Sequence, residues 1–225
     1  IPAIGVIQDF SALGFPVTTG VGLMANAGAG VDFRGVPASR GTSAQYLALD
    51  MIGAAGVAVT DRLSIGSSLI VGSSFLDGPF ADLGGMAPAY GLRGSVGLNY
   101  YLRDETSAGF YYQTKKNFNF ADAVVFSNGA THDIKFDHPA NLGWGLADSS
   151  LLDGRLLVAA DVLYKIHSDA DFLKAIYKDQ WVLQLGTQYS LTPRTRLRLG
   201  YAYNENPMRG PSATSVGGVP LPDGV

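Results

Sequence analysis

The stretch Gln180–Asn204 reads QWVLQLGTQYSLTPRTRLRLGYAYN, and it decides the fold. On both sides of a turn that contains Pro193, bulky apolar residues alternate with small or polar ones. A period of two on either side of a turn indicates a β-hairpin whose strands each have one apolar and one polar face. Each strand runs for about ten residues, which at a tilt of about 45° is the length that crosses a bilayer. Similar alternating stretches recur along most of the sequence.

The composition spreads apolar surface over many short segments. The chain has 29 glycines among 225 residues, 47% apolar residues and 16% charged residues. No uninterrupted apolar run reaches the roughly 18 residues that a transmembrane helix needs. A net charge of −3 and the lack of a basic cluster predict no nucleic-acid partner. The chain has no cysteine, which excludes disulfides and thiolate chemistry.

Ten strands are predicted from the alternating pattern, and the third of them is rich enough in alanine that a helix is an alternative there. The predicted strands are Ala3–Gln8, Thr18–Phe33, Tyr46–Val59, Leu63–Phe75, Tyr90–Leu102, Ser107–Lys115, Asn141–Ala147, Leu156–Ile166, Gln180–Ser190 and Thr195–Asn204.

The connections between these strands alternate between short and long. Short turns are predicted at 61–62, 103–106, 148–154 and 192–194, and long loops at 34–45, 76–89, 116–140, 167–179 and 205–225. Strict alternation places all short turns on one rim of the sheet and all long loops on the other. Outer-membrane barrels have this asymmetry, with the long loops outside the cell.

The charged residues within strands, Asp50 among them, fall on the face opposite the bulky apolar series, and Lys116, at a loop edge, is the exception. Aromatic residues gather near strand ends, as they do in the interfacial girdles of membrane barrels. A soluble barrel would instead need large side chains to fill its interior. The prediction is therefore an all-β fold, an antiparallel transmembrane β-barrel whose apolar face meets outer-membrane lipid. The residues predicted to line the lumen are Arg93, Asp161, Lys165, Arg196 and Arg198.

Motifs for catalysis or metal binding are not supported. Residues Gly20–Ala25 fit G-x-G-x-x-A, but the glycines and alanines that follow would not form the helix that a dinucleotide site needs. We interpret this stretch as a glycine-rich strand that can bend or bulge. His132, His138 and His167 fall in predicted loops without metal-ligand spacing, so we expect solvated side chains and no metal. No catalytic signature is present, and we predict neither an enzyme nor a cofactor.

Two predicted long loops are apolar for exposed segments, namely Leu76–Ala89 and, within the loop 116–140, the stretch Asn117–Phe126. Exposed apolar patches often mark ligand sites, and packing of the loops on themselves is the alternative. The residues predicted to capture a hydrophobic substrate are Phe80, Leu83, Met86, Phe118, Phe120 and Phe126.

Several short motifs together resemble the FadL/TodX family of outer-membrane transporters for long-chain fatty acids and other hydrophobic compounds. They are Val59–Gly66, His138-Pro139-Ala140 leading into Gly143 and Gly145, Ala160–Tyr164, Leu185–Tyr189, Arg198–Tyr201 with Asn206-Pro207, and Leu221-Pro222-Asp223. Their order and spacing span almost the whole chain.

The resemblance implies a fourteen-stranded barrel plugged by an N-terminal hatch. The ten predicted strands then resemble the second to the eleventh, and residues 1–225 are expected to be a single barrel domain that lacks the hatch and the last strands. The apolar loops resemble the family's capture groove. The strand Thr18–Phe33 resembles the strand whose inward kink opens the wall for lateral exit. Glycines suit such a kink, and the candidates are Gly20, Gly22, Gly28 and Gly30.

The function that the resemblance implies is passive uptake of a hydrophobic small molecule across the bacterial outer membrane, by a monomer without a cofactor. Two alternatives stay open: a general porin for small polar solutes, and a structural or adhesive surface barrel. For the lumen cations, two interpretations are equally favoured. They bind a substrate carboxylate through charge-assisted hydrogen bonds, or they pair with Asp161 and stiffen the barrel.

Overall fold

The computed structural model describes residues 2–33, 35–39, 43–77, 86–125, 128–209, 215–216 and 219–220. Strands dominate this part of the chain. In chain order they are β1 (Ala3–Asp9), β2 (Val17–Asp32), β3 (Ser43–Ala58), β4 (Leu63–Asp77), β5 (Ala87–Arg103), β6 (Thr106–Gln113), β7 (Lys116–Val125), β8 (Thr131–His138), β9 (Ala140–Ser150), β10 (Leu156–Ile166), β11 (Gln180–Thr192), β12 (Thr195–Asn204), β13 (Ser215–Val216) and β14 (Val219–Pro220).

Ten of these strands form one antiparallel sheet in the order β1-β2-β3-β4-β5-β6-β9-β10-β11-β12. Each strand pairs with its sequence neighbours except at one point, where β6 pairs directly with β9. The two intervening strands, β7 and β8, pair only with each other in the described part of the chain. The β13–β14 pair is separate from the large sheet.

Helical structure is confined to single turns. The 3-10 turns are Ser11–Leu13, Pro37–Ser39 and His167–Asp169, and the α-helical turns are α1 (Leu151–Gly154) and α2 (Leu173–Ile176). Among the residues described, no helix is long and apolar enough to cross a membrane.

All ten strands predicted from the alternation are present in the sheet, and most extend a few residues beyond the predicted ends. The alanine-rich segment is a strand, β3, and not a helix. It pairs along nearly its whole length with β2 on one side and β4 on the other. Backbone pairing on both sides outweighs the weak helix preference of its alanines.

The two faces of the sheet differ as predicted. Large apolar side chains are exposed on one face, which we call the apolar face. Representative members are Val71, Leu92, Val96, Leu98, Leu146, Leu183 and Leu185. The opposite face, which we call the inner face, is the one that β7 and β8 cover. It is rich in glycine, alanine, serine and charged residues, including Asp50 and Arg93.

The structure corrects the expectation of a long external loop at residues 116–140. The chain leaves the sheet after Gln113 and forms the β7–β8 hairpin, which packs on the inner face of β5 and reaches β4. Phe118 and Phe120 were expected on an exposed segment, but only 1% and 0% of their surfaces are exposed. Burying such side chains contributes about 1.5–3 kcal/mol each, which leaves little reason for the segment to stay in solvent.

The hydrophobic core lies between this hairpin and the inner face of the sheet. Its buried members are Ala87, Ala89, Phe118, Phe120 and Ala123, and Tyr46, Leu76, Ile134 and Phe136 pack against them. The small side chains of β5 provide the space that the two phenylalanine rings of β7 fill. The core therefore joins a local hairpin to the wall of the sheet.

The face assignment is tested by placing the same charge on neighbouring residues of β4. Leu69 is 55% exposed on the apolar face, whereas the Ser68 hydroxyl contacts that of Ser95 at 2.7 Å on the inner face. If the apolar face meets lipid, Leu69→Arg costs about 2–4 kcal/mol near the bilayer midplane. We expect Leu69→Arg to lower the yield of protein folded into lipid vesicles and Ser68→Arg to change it much less. Equal losses in urea-titrated folding yields would contradict the assignment.

Candidate functional site

A buried ion pair joins the hairpin to the wall. Lys116, the first residue of β7, has no exposed surface, and its Nζ donates to Oδ1 of Asp50 on β3. Asp50 itself is only 3% exposed. A buried ammonium group is tolerated only when a charged partner and hydrogen bonds replace its water. This requirement fixes where the hairpin begins.

Two glycines make room for this pair. In the ladder, Asp50 lies opposite Gly72 of β4, and Gly72 lies opposite Gly91 of β5. A Cβ atom on Gly72 would lie 2.7 Å from Nζ of Lys116, and one on Gly91 would lie 2.6 Å from the carbonyl oxygen of Asn117. The hairpin therefore lies so close to β4 and β5 that only glycine fits at these two positions.

Asp50 also binds the bulge in β2. The pairing of β2 with β3 shifts between Ala25 and Ala27, so Asn26 is the extra residue of a bulge. Its Nδ2 donates to Oδ2 of Asp50 at 2.6 Å. One carboxylate thus accepts from the hairpin on one oxygen and from the bulge on the other. The glycine-rich strand, which was expected to be able to bend or bulge, thus contains a bulge.

Arg93 binds the two ends of the hairpin next to the sheet, at Thr114 and Pro139, which we call its neck. This predicted lumen residue is 6% exposed, and its guanidinium donates at 2.8 Å to the carbonyl oxygens of Thr114 and Pro139. Those carbonyls belong to the two segments that enter and leave the hairpin. Arg93 therefore satisfies backbone groups where the sheet ladder is interrupted, and its charge is directed at the hairpin instead of open space.

His138, at the end of β8, is half-buried against the wall, and the expectation of a solvated loop histidine was wrong for it. Its Nε2 lies 2.6 Å from the Tyr46 hydroxyl, with which it shares a hydrogen bond. Burial, with Lys116 and then Arg93 nearby, lowers the pKa of His138 from 6.5 to about 4. His167 is buried, whereas His132 is exposed as expected.

The loop between β10 and β11 holds the base of the hairpin from outside. Lys115 Nζ lies 3.4 Å from Oδ2 of Asp137 and donates to the carbonyl oxygen of Asp169 at 2.8 Å. The backbone N–H of Asp171 donates to the same Asp137 carboxylate at 3.1 Å. The hairpin is consequently fixed on its wall side and on its loop side.

An open concavity of about 550 Å³ lies along β1–β6 and reaches Gln113, the last residue of β6 before the hairpin. Its wall includes Gly20, Ala54, Ser68, Ser95, Gly97 and Tyr111, and none of its lining residues is charged. A second concavity of about 420 Å³ shares Tyr111 and contains Asp161 and Gln184. Tyr111, together with Leu98 and Phe110, thus borders both an uncharged concavity and one that contains a carboxylate.

The strand registers place all five predicted lumen residues on the inner face, though in different settings. Arg93 lies under the hairpin, Asp161 borders the second concavity, and Nε of Arg198 donates to Oε1 of Gln188 at 2.7 Å. Within the described ranges, no ion pair joins Asp161 to Lys165, Arg196 or Arg198. Pairing of these cations with Asp161 therefore finds no support.

The predicted capture residues are only partly described. Phe80, Leu83 and Phe126 lie outside the described residues. Met86 is 40% exposed and borders a concavity of about 390 Å³ with Val31, Tyr46 and Leu47. For the buried Phe118 and Phe120, a role in capture stays a prediction, and it now requires the hairpin to leave its place.

The predicted gate glycines lie on both sides of the bulge in β2. Gly20 and Gly22 precede Asn26 and belong to the inner face, whereas Gly28 and Gly30 follow it. The whole stretch is strand, so the dinucleotide motif lacks its helix. In the part of the chain that the structure describes, no group of three or more acidic, cysteine or histidine side chains could hold a metal ion.

The sequence interpretation missed most of this site. It placed Asp50 on the polar face but gave no role to it, to Asn26 or to Tyr46. One signal was available: Lys116 was the charge that broke the face pattern. A charged residue that departs from the face pattern at the start of the alternating run NFNF indicates a segment that packs against the sheet instead of joining it.

No protein-family model and no curated protein matches this sequence. Solved structures do. The Pseudomonas putida toluene transporter TodX matches with a TM-score of 0.62 and 18% identity, over 91% of this chain and 68% of TodX. The monoaromatic hydrocarbon channel CymD matches with 0.63 and 18%, over 91% and 69%. A Pseudomonas aeruginosa FadL homologue matches with 0.63 and 12%, over 92% and 60%.

The chain therefore spans about two thirds of the length of TodX and CymD and 60% of the FadL homologue. At these identities the likeness concerns the fold. It confirms the antiparallel β-barrel fold of FadL-type and TodX-type proteins that the sequence motifs predicted.

Docking of the hairpin is tested by Gly91→Ala. The added methyl group would meet the backbone oxygen of Asn117, which cannot turn away as a side chain can. We expect the hairpin to detach and a protease to cut near Gly129 faster than in the parent protein. The control is Gly94→Ala on the same strand, whose nearest neighbour is at 3.8 Å. Equal cleavage rates in both variants would contradict the close approach.

Docking should also depend on pH through His138. The docked pKa of about 4 lies below the value of about 6.5 expected after release. His138 therefore favours docking fully above about pH 6.5, and this contribution is lost as the pH falls toward 4. A spin label at position 128 should become more mobile at pH 5 than at pH 7.5. His138→Gln keeps a polar partner for Tyr46 without titrating and should flatten the profile. An unchanged slope in this variant would contradict the assignment.

Proposed function

We propose that this protein lets small hydrophobic molecules cross the bacterial outer membrane passively, without a cofactor or a catalytic step. The observation that carries the proposal is the fold shared with TodX, CymD and a FadL homologue, which are described as a toluene transporter, a monoaromatic hydrocarbon channel and a FadL-type protein. Channels and transporters among the neighbours support a function other than catalysis. The apolar face supports a place in lipid, and we propose a monomer.

The path begins at the rim with the long loops. There the exposed side chain of Met86 borders a concavity that Val31 and Leu47 also line. An apolar solute that covers such side chains gains roughly 25 cal/mol for each Å² removed from water. We place capture at this rim, where Phe80 and Leu83 of the same connection are expected to add apolar surface.

From the rim the solute moves along the inner face into the uncharged concavity beside the hairpin. Small side chains leave this space open, and Phe110 and Tyr111 are its aromatic members. Exit is placed along β2, where a bulge and several glycines make the strand able to deform. Lateral release toward lipid would spare the solute a second passage through water.

The substrate class that we propose is a neutral molecule and not an alkyl carboxylate. Of the cations on the inner face, Arg93 donates to two backbone carbonyls, and Lys116 is paired with Asp50. The other inner-face cations among the predicted lumen residues, Lys165, Arg196 and Arg198, do not line the concavity. The hairpin carbonyls thus take up two N–H donors of Arg93, Asp50 neutralises Lys116, and neither residue lines the concavity, whose lining is uncharged. Moving an ionised head group into this space would carry a desolvation cost without a compensating partner. The hairpin occupies part of the inner face, along which polar solutes would have to pass, so it does not support the alternative of a general porin.

Uptake by lipid vesicles that contain the protein tests this proposal. Toluene, octanoate at neutral pH and glucose serve as a neutral, a charged and a polar probe. We expect accelerated entry for toluene over protein-free vesicles and much smaller effects for the other two. Met86→Ser should slow toluene entry at limiting concentration, since an exposed apolar side chain at the rim is lost, while Met208→Ser, at an exposed methionine of the chain after β12, should not. Entry of glucose as fast as toluene would favour a porin.

A further inference from the structure

We infer that the β7–β8 hairpin and the bulge in β2 form one coupled element, in which Asp50 makes the position of each depend on the other. The inference rests on the proposed function in one respect, because the bulge belongs to the strand along which we place exit of the solute. The coupling itself does not depend on transport. Its physical basis is the division of one buried carboxylate between Lys116 of the hairpin and Asn26 of the bulge.

Asp50 is almost completely buried and accepts from two elements that do not pair with each other. Lys116 supplies the charge that balances the carboxylate, and Asn26 supplies a neutral donor to its other oxygen. A buried polar group that loses one partner carries the desolvation penalty of that group, which is larger than the mean gain from a hydrogen bond. Loss of either donor therefore makes burial of the Asp50 carboxylate less favourable and weakens its hydrogen bond to the other donor.

The hairpin can move as a unit. Its two strands hold their backbone hydrogen bonds in a ladder of their own, from Lys116 opposite His138 to Val125 opposite Thr131. Leaving the wall breaks contacts of the phenylalanine core and the polar anchors, but it does not break this ladder. The wall likewise keeps its sheet, since β6 pairs with β9 whether the hairpin is docked or not. Both states thus retain their regular backbone pairing.

The bulge is the part of the wall that responds. Asn26 is an extra residue with no ladder partner on β3, and its side chain is held inward by Asp50. When Lys116 leaves, water reaches Asp50 and competes with Asn26 for it. The bulge then loses its anchor shortly before Gly28 and Gly30, where the lack of side chains makes the strand easier to bend. Coupling of this kind is reciprocal, so a change at the bulge must shift the hairpin by the same free energy.

Spin labels on the hairpin test the coupling without reference to transport. The chain has no cysteine, so Asn128→Cys at the exposed hairpin tip and Glu105→Cys at the short-turn rim give one defined pair of labels. Pulsed distance measurements in lipid vesicles then report docked and displaced hairpins as separate populations. In the parent protein we expect one dominant distance.

Asn26→Ala is the decisive variant, because the coupling predicts that it acts on the hairpin through Asp50. We expect it to raise the displaced-to-docked ratio by about fivefold or more. Asn99→Ala, an inner-face asparagine of β5 away from Asp50, is the matched control and should leave the ratio unchanged. Equal ratios in the two variants would overturn the inference.

A second variant guards against a general loss of stability. In Lys116→Met/Asp50→Leu, the charge pair is replaced by apolar side chains, so the phenylalanine core should still dock the hairpin. Asn26→Ala added to this background should no longer change the ratio, because Asp50 is absent. A full effect of Asn26→Ala in that background would overturn the role of Asp50. If toluene entry fails while the labels show the coupling, the transport proposal falls and the coupled element stands.

Discussion

The inner face depends on one buried ion pair, that between Lys116 and Asp50. An ammonium group without exposed surface is unstable unless a carboxylate meets it, and a buried carboxylate has the same need. The pair therefore determines where β7 begins, and it explains the two glycines that face it, because side chains at Gly72 and Gly91 would displace the lysine or its backbone. The phenylalanine core packs next to this ion pair, and Arg93 binds the neck of the hairpin beside it.

The wall obeys a different constraint. Each strand must satisfy its backbone through its neighbours, and it must present one apolar and one polar or small face. The inner face of β5 shows how both constraints meet. Ala87, Ala89 and Gly91 are small because phenylalanines and a hairpin backbone cover them, and Arg93 is tolerated because the neck carbonyls accept its donors. The apolar face of the same strand, with Leu92 and Val96, meets none of these groups and stays exposed.

This division explains how much the sequence could predict. The ten wall strands follow from a period of two that each strand carries in its own residues, and β10 and β12 begin and end at their predicted residues. The hairpin could not be predicted in the same way, although NFNF alternates. Whether Phe118 faces solvent or Ala89 depends on packing between segments that are distant in sequence. For the same reason, Asp50 could be assigned to a face but not to Lys116 or Asn26, and the role of Arg93 could not be separated from that of Arg198.

The buried ion pair can be measured directly as the distance between Lys116 Nζ and the Asp50 carboxylate carbon in a lipid bilayer. Solid-state NMR dephasing between ¹⁵N-labelled lysine side chains and ¹³C-labelled aspartate carboxyls provides it, with Lys116→Met and Asp50→Leu to assign the signal. We expect a strongly coupled lysine signal that exchanges slowly and disappears in both variants. The exposed pair of Lys174 with Asp171 should also give a coupled signal, but one that exchanges rapidly and persists in both variants. A Lys116 ammonium that exchanges rapidly with water and shows no coupling to Asp50 would contradict it, because the hairpin would then lie outside the inner face.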